Sequence, residues 1–586
     1  MIFLDFEVTK YDWLAVFMMS EDHTTYVVHN DEEMLRWIYN EHKGEIWVGY
    51  NIRHYDQWIF KAILYGLDPK ELSDWIIVKK RQPYLFSSIL GKRDYEINFF
   101  DVMPNPPVGL KTMEGFMGSD IRETDIPFDI DRPLTKDEFQ AMEDYCRHDV
   151  EETIRVFVKR KEQFEAQMGM VTAFGLGLRS IGDTEAQITA KVLNCHKRQY
   201  DDEFKWYFLP CLRLKKYRRA LDWFAEIRRG ADESIYKSKS LKMDVAGVPH
   251  VFGFGGLHGA PDHPIHRKGL LLHVDVGSYY PSMLIAWDLV TRSAWEPEQY
   301  RHVYDTRMEL KAAGKKKEQA PYKKLLNALS GAMKDKYNPA YDPRNNNIMC
   351  INGQLMLLDL IEHLEAQVEG FELIQSNTDG LIIMIPDTDK AFDQVDRVCA
   401  DWEYRCSTSK CQILLGLDII SEIYQGDVNN YLWIEPDGKI ERKGAYVKEL
   451  SSIDYDLPII NEALVRYMVD KVPVEDTIIG CDELIRFQKL VKLSDAYEYV
   501  MHNGKKYTYK SYRVFASNDL YDGKIFKCRE KSNPAKFGNT PDHCFIDNGS
   551  MDGRTVPERL DKWWYISLAK DRLEKKFGVI DGFQMA

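Results

Sequence analysis

Carboxylates at the ends of apolar runs are the first residues here that could do chemistry. In LLLHVDVGSYYPS, residues 270–282, the run from Leu270 to Val274 reads as a buried strand that delivers Asp275 to its end. A carboxylate there is costly unless something cationic meets it; the plainer reading is an N-cap at a strand-to-helix turn. Asp379 sits in ELIQSNTDGLIIMI, two apolar runs around Asn-Thr-Asp-Gly, a hairpin signal that can hold an acid opposite the end of a neighbouring strand. Near the start, FLDFEV places Asp5 and Glu7 two apart, on one face of a strand. Two like charges on one face repel unless a cation lies between them. Tyr145 and Asp149 stand at i and i+4 of a helical pattern and share a face. Arg307 with Lys311, and Lys323 with Asn327, repeat that spacing on two further helical stretches. Facing each other, those helices would present a cationic groove to phosphate, Arg as a fork and Lys as a point charge.

The elements that must position these groups are partly legible. Trp58, Ile59, Ala62 and Ile63 predict a helix starting near Asp56, and Thr135 with Glu138 forms a capping box for a long helix from Lys136 to Gln167. On that helix His148 is read as a surface residue. Asp437-Gly438, between Leu432-Trp433-Ile434 and Ile440, predicts a hairpin turn. Residues 170–250 read as mixed helical and basic, and Trp563 and Trp564 as core. A chain of 586 residues suggests about four domains or lobes. With 44% hydrophobic and 29% charged residues the composition is that of a soluble globular protein. No apolar run reaches the ~18–20 residues of a membrane span, and MIFLDFEV lacks the basic start of a signal peptide. Ten cysteines without a CxxC pair predict reduced cytosolic thiols and no structural zinc. The net charge of −14 is set against local basic clusters, one within residues 213–242 and one from Lys311 to Lys324, which could meet phosphate.

Three stretches in order resemble the palm motifs of family B DNA polymerases: DVGSYYPS (275–282), KKLLNALSG (323–331) and QSNTDG (375–380). Asp5, Glu7, Asp56 and Asp149, with Tyr145 four residues before the last acid, resemble the DEDD tetrad of 3′–5′ proofreading exonucleases of the tyrosine subclass. The resemblance implies an α/β and α+β multidomain protein: an RNase H-like exonuclease at 1–170, a connecting region at 171–265, palm at 266–299 and 346–450, fingers at 300–345, and a thumb and C-terminal region at 451–586, the last assigned by position alone. It implies two Mg²⁺ per active site, with Mn²⁺ as a substitute. Asp275, Asp379 and the Val276 carbonyl would hold them in the palm, the tetrad in the exonuclease. Tyr145 would orient the attacking water. Tyr280 matches the tyrosine that excludes a 2′-hydroxyl; Arg307, Lys311, Lys323 and Asn327 would bind the incoming nucleotide. Asn51, Tyr55 and Leu110 would contact a frayed single strand, and Tyr431, Lys443 and Gly444 the primer terminus. Gly255 and Gly256 resemble the glycine loop between the two lobes and would allow close backbone approach to phosphate, with a flexible linker as the lesser alternative. Five positions depart from the family pattern: Asn377 stands for an Asp, Ser330 for a Tyr, Gly109 for a Ser or Thr, Gly253 for a Tyr and Asn429 for a Lys.

Primer–template DNA and deoxynucleoside triphosphates are the implied partners, with replisome accessory proteins, a monomeric state, no membrane and, for a compact phage-type enzyme, the host bacterial cytoplasm. Asp275 and Lys323 lie 48 positions apart, which leaves hardly any room for the insertion of protein-primed relatives and implies an ordinary primer. Two rivals stand beside this reading: a trimming nuclease with a degenerate polymerase half, and a non-catalytic DNA-binding protein.

Overall fold

The computed structural model describes residues 1–579 and divides into two compact units. One comprises Met1–Asp183, Leu450–Ile459 and Ile478–Tyr565; the other comprises Thr184–Glu449, Ile460–Thr477 and the residues from Ile566. Among the described residues no helix is long and apolar enough to cross a membrane.

The first unit is built on a mixed five-stranded sheet in the order Thr25–His29, Trp13–Met19, Ile2–Val8, Ile46–Gly49, Asn98–Asp101. The first three strands pair antiparallel and the last two pair parallel. Alternation along Ile2–Val8 sorts its side chains between two cores. Ile2, Leu4, Phe6 and Val8 join Phe17, Trp47 and Phe60 on one side, while Phe3 turns to Met142, Cys146 and Val150 on the other. Asp5 and Glu7 continue the face of Phe3, so the strand's own alternation brings two acids to the helix Lys136–Lys159. That helix opens on the capping box, Thr135 Oγ1 accepting from the Glu138 N–H at 3.3 Å. It ends at Lys159 instead of running on to Gln167. Arg160 leaves helical geometry (φ −109°, ψ 18°) and turns its guanidinium to the Val102 carbonyl, and a second helix covers Lys161–Ala173.

The region assigned by position to a thumb is divided between the units, and residues 478–565 pack in the first. There Leu490 closes on Gly115, whose added Cβ would stand 2.7 Å from Leu490 Cδ2. Arg513, fully buried, donates to the Gly115 and Ser119 carbonyls at 3.2 and 3.0 Å, to Gly549 O at 2.6 Å and to Gln488 Oε1 at 2.8 Å. Burial pushes this guanidinium down to about 10, which leaves it charged at neutral pH. A single buried cation thus gathers the loose carbonyls at the end of the helix Leu110–Met117.

The second unit is built on a nine-stranded antiparallel sheet. Its order is Ile440–Lys443, Asn430–Ile434, Leu415–Asp427, Ile265–Val276, Gly380–Ile385, Glu372–Ser376, His258–Gly259, Val248–Phe252, Leu241–Val245. Three of these strands precede residue 266, so the end of the stretch read as a connecting region belongs to the sheet. The helix Pro343–Gln367 is buried along almost its whole length; the Tyr279 hydroxyl donates to Gly353 O at 2.7 Å and the Trp402 indole to Met356 O at 2.8 Å. Glu298–Ala312 and Lys316–Lys334 form a packed helix pair.

Candidate active sites

In the second unit Asp275 lies at the end of the strand Ile265–Val276 and pairs with Gly380, and the Val276 N–H donates to Asp379 O at 2.7 Å. Partners across an antiparallel ladder lie ~4.5–5.5 Å apart at Cα, so the two acids are neighbours. Burial, then the Asp379 charge, pushes Asp275 up to about 6. Asp379 is presented by a turn whose geometry depends on Asn377: its Oδ1 accepts from the N–H groups of Asp379 (3.1 Å) and Gly380 (2.9 Å). A side-chain amide closing its own turn is what Asn does well, which gives the departure at 377 a structural role. Gly256 is pressed against this turn; a Cβ there would stand 2.2 Å from Thr378 Oγ1, while Gly255 faces open space.

Asp275, Val276, Tyr280, Arg307, Lys311, Lys323, Asn327 and Asp379 line one cleft of ≈ 400 Å³. Lys311, Lys323 and Asn327 are exposed. Arg307 is buried, its guanidinium bonded to Ser278 Oγ, and burial lowers its pKa. Ser278 is held at φ 55° and caps the helix Tyr279–Ala286, whose first turn leaves N–H groups without intrahelical acceptors. Tyr280 packs over Gly353, where a Cβ would stand 3.3 Å from its ring. Ser330 Oγ lies 3.1 Å from Asn346 Oδ1, so the small residue is used in helix packing. Tyr431 is buried and stacked on Trp433 at 5.2 Å, with Lys443 Nζ 5.9 Å from its ring; Gly444 adopts φ 97°. His258, passed over in the sequence, lies in this neighbourhood: burial, then Lys443, lowers its pKa against the pull of Asp379.

In the first unit, single carboxylate oxygens of Asp5, Glu7 and Asp149 lie within 4.8 Å of one another. Asp56 opens the helix Asp56–Leu64 and is 1% exposed, and its Oδ1 has no hydrogen-bond partner. Burial, then Asp149, pushes Asp5 up to about 8; burial raises Glu7 and Asp56 well above the carboxylate range; burial, opposed by Lys111, brings Asp149 to about 6. An orphaned buried oxygen among crowded carboxylates is the environment a divalent cation relieves, so the donor set fits a hard divalent cation. Tyr145 sits beside Asp149, and its phenol is raised by burial and then by that acid. Asp5, Glu7, Asn51, Tyr55, Asp56, Tyr145 and Asp149 line a cleft of ≈ 1570 Å³ rimmed by Lys70, Lys79 and Lys80. Asn51 adopts φ 65° with its N–H on Asp101 Oδ1 at 2.9 Å, and the Tyr55 hydroxyl lies 2.9 Å from Ser73 Oγ.

Gly109 and Leu110 start a helix; neither lines that cleft. The residue after them was missed. Lys111 Nζ bonds Asp149 and also Glu114 Oε1 at 2.9 Å, 4.5 Å from the centre of the Tyr145 ring. Burial lowers this ammonium, but Asp149 and Glu114 outweigh burial and raise it. Its sequence signals were its place after Gly109-Leu110, in the stretch that resembles a single-strand-binding element, and a Glu at i+3. His148, read as a surface residue, is 7% exposed, with Nε2 3.6 Å from Glu114 Oε1. It faces the same helix as Lys111 because it lies next to Asp149.

No protein-family profile matches the chain. It is similar to DNA polymerase 1 of Sulfurisphaera ohwakuensis, 23% identical over 229 residues, covering 38% of this chain and 23% of that protein. The chain therefore aligns with less than a quarter of that relative. Among solved structures it is similar to the family B DNA polymerase of the hyperthermophilic archaeon Pyrobaculum calidifontis, with a TM-score of 0.42 and 13% identity over 100% of this chain and 78% of that one.

Proposed function

We propose that this protein is a template-directed DNA polymerase that extends a primer 3′-hydroxyl with deoxynucleoside triphosphates and proofreads through a 3′–5′ exonuclease. The observation that carries the reading is the pairing of Asp275 and Asp379 on adjacent strands, in one cleft with Tyr280, Arg307, Lys311, Lys323 and Asn327.

In the palm cleft, Asp275, Asp379 and the Val276 carbonyl would hold two Mg²⁺, which when bound activate the attacking oxygen and stabilise the leaving one. Lys311 and Lys323 offer point charges to the triphosphate, and the free N–H groups at the start of Tyr279–Ala286 suit a phosphate oxygen. Arg307 acts through Ser278, which it fixes at the strand-to-helix corner. Tyr280, backed by Gly353, closes the floor where a 2′-hydroxyl would project. Lys443 and Tyr431 lie near Asp379, where a primer terminus would end.

In the exonuclease cleft, Asp5, Glu7, Asp56 and Asp149 would hold the second pair of ions, and Tyr145 would orient the attacking water. Asn51, Tyr55 and the lysine rim suit a single strand entering 3′ end first. Helices fill the interval between Asp275 and Lys323, in keeping with a nucleic-acid primer. Asp379→Ala tests the central claim. Removing a ligand that supports several kcal/mol of transition-state stabilisation should lower primer extension by about 10³-fold or more, and extension within tenfold of the parent would refute the assignment.

A further inference from the structure

The C-terminal β-rich segment of the first unit has an unusual charge for this chain. Residues 489–543 carry eleven Lys and Arg against six Asp and Glu, in a protein of net charge −14, together with six tyrosines. Four of its strands form a small antiparallel sheet in the order Lys505–Tyr507, Tyr499–His502, Phe526–Cys528, Ala535–Lys536. Val500 and Tyr507 turn inward to a core with Val491, Val514 and Phe537. Register then puts Lys506, Met501, Phe526 and Lys536 side by side across the opposite face, one from each strand. Tyr499, two residues from Met501, shares that face, and Lys506 Nζ lies 4.4 Å from its ring centre. Tyr499, Met501, Phe526 and Lys536 are half-buried and Lys506 is exposed.

The face therefore offers two aromatic rings between lysines about 14 Å apart, three strand spacings. Lys536 shares Asp542 with Lys524, but among the described residues Lys492, Lys505, Lys506, Lys510, Lys527 and Lys531 have no ion-pair partner. On the face itself Lys506 is the uncompensated cation, beside aromatic rings and with further lysines around the sheet, which is what a single strand needs: cations for the backbone and ring faces for unstacked bases. A duplex hides its bases and gains nothing from the rings. On the same segment, Lys492 reaches the helix Leu110–Met117, where a Cβ on Gly109 would stand 3.3 Å from its Nζ.

We propose that this sheet face binds single-stranded DNA at a site separate from both carboxylate centres. The choice of DNA over RNA rests on the proposed function; the single-stranded preference does not. The test uses the full-length protein in EDTA, so that nothing is cleaved, with fluorescent dT20, a duplex of equal length and rU20. The parent should bind dT20 in preference to both others. Lys506→Glu should weaken dT20 binding about threefold at low salt and reduce the salt slope by about 0.7, one phosphate contact. Tyr499→Ala should weaken it about fivefold or more at an unchanged slope, the signature of lost stacking. Melting temperature and primer extension should match the parent in every variant. Binding within twofold of the parent in both variants, an equal loss on duplex, or tighter binding of rU20 would overturn the proposal. Failure of the proposed function would show separately, as a parent that extends no primer.

Discussion

At the scale of single residues, two departures from the polymerase motifs, Asn377 and Ser330, have structural roles. Asn377 closes the turn that presents Asp379, and the trimming-nuclease rival drew on that departure as a sign of decay. The turn needs an oxygen acceptor at 377 and no negative charge. Asn377→Asp keeps the acceptor and should extend primers within a few-fold of the parent. Asn377→Ala leaves two N–H groups unsatisfied, at about 1–3 kcal/mol, and should slow extension about tenfold or more in steady-state assays. Lys111 is the matching case beside the carboxylate cluster of the first unit. It brings a fixed positive charge to Asp149 and Tyr145 and is held by Glu114. Lys111→Met should lower trimming of single-stranded DNA about 10²-fold, with Lys111→Arg intermediate and primer extension unchanged; equal losses in both activities would indicate a folding defect instead.

At the scale of elements, one strand and two helices force four acids together, and that crowding has a pH signature. Asp5 and Asp149 have folded pKa values of about 8 and about 6, both raised above 3.8. A raised carboxyl contributes stability that is fully present below its unfolded value and is lost as pH rises through the folded one. The metal-free protein should therefore lose thermal stability between about pH 4 and pH 8. Mg²⁺ binds the ionised acids and should restore stability most at the alkaline end. Calorimetry in EDTA and in MgCl₂ across that range would show it, and Asp5→Asn/Asp149→Asn should flatten the EDTA profile. Sequence alternation made the strands Ile2–Val8 and Ile265–Val276 and the hairpin at Asp379 readable, because each buries one face and turns at Gly or Asn. The break at Arg160 was not readable, since it depends on a carbonyl at Val102, far away in sequence. His148 and Lys111 were misjudged or missed for the same reason: their partner Glu114 lies on a different helix from His148, and Lys111 reaches Asp149 across 38 positions.

At the scale of the whole molecule, the two carboxylate centres fall in different compact units, and each unit draws on distant chain. The first unit takes in residues 478–565, tied by buried Arg513 to the helix that carries Lys111. Position along the chain gave no hint of this, because a long-range partner of a helix end leaves no local pattern. Exposed Trp563, read as core, is a smaller instance; it sits at the start of the helix Lys562–Phe577 with 65% of its surface open. A protein built this way should let one activity be removed without the other. The direct measurement follows one labelled primer–template on a gel, with Mg²⁺, in the presence and absence of deoxynucleoside triphosphates, for the parent, Asp5→Ala and Asp275→Ala. Asp5→Ala should lengthen the primer and no longer shorten it when nucleotides are withheld; Asp275→Ala should shorten it and never lengthen it. Lengthening that survives Asp275→Ala, or shortening that survives Asp5→Ala, would contradict the two-centre account.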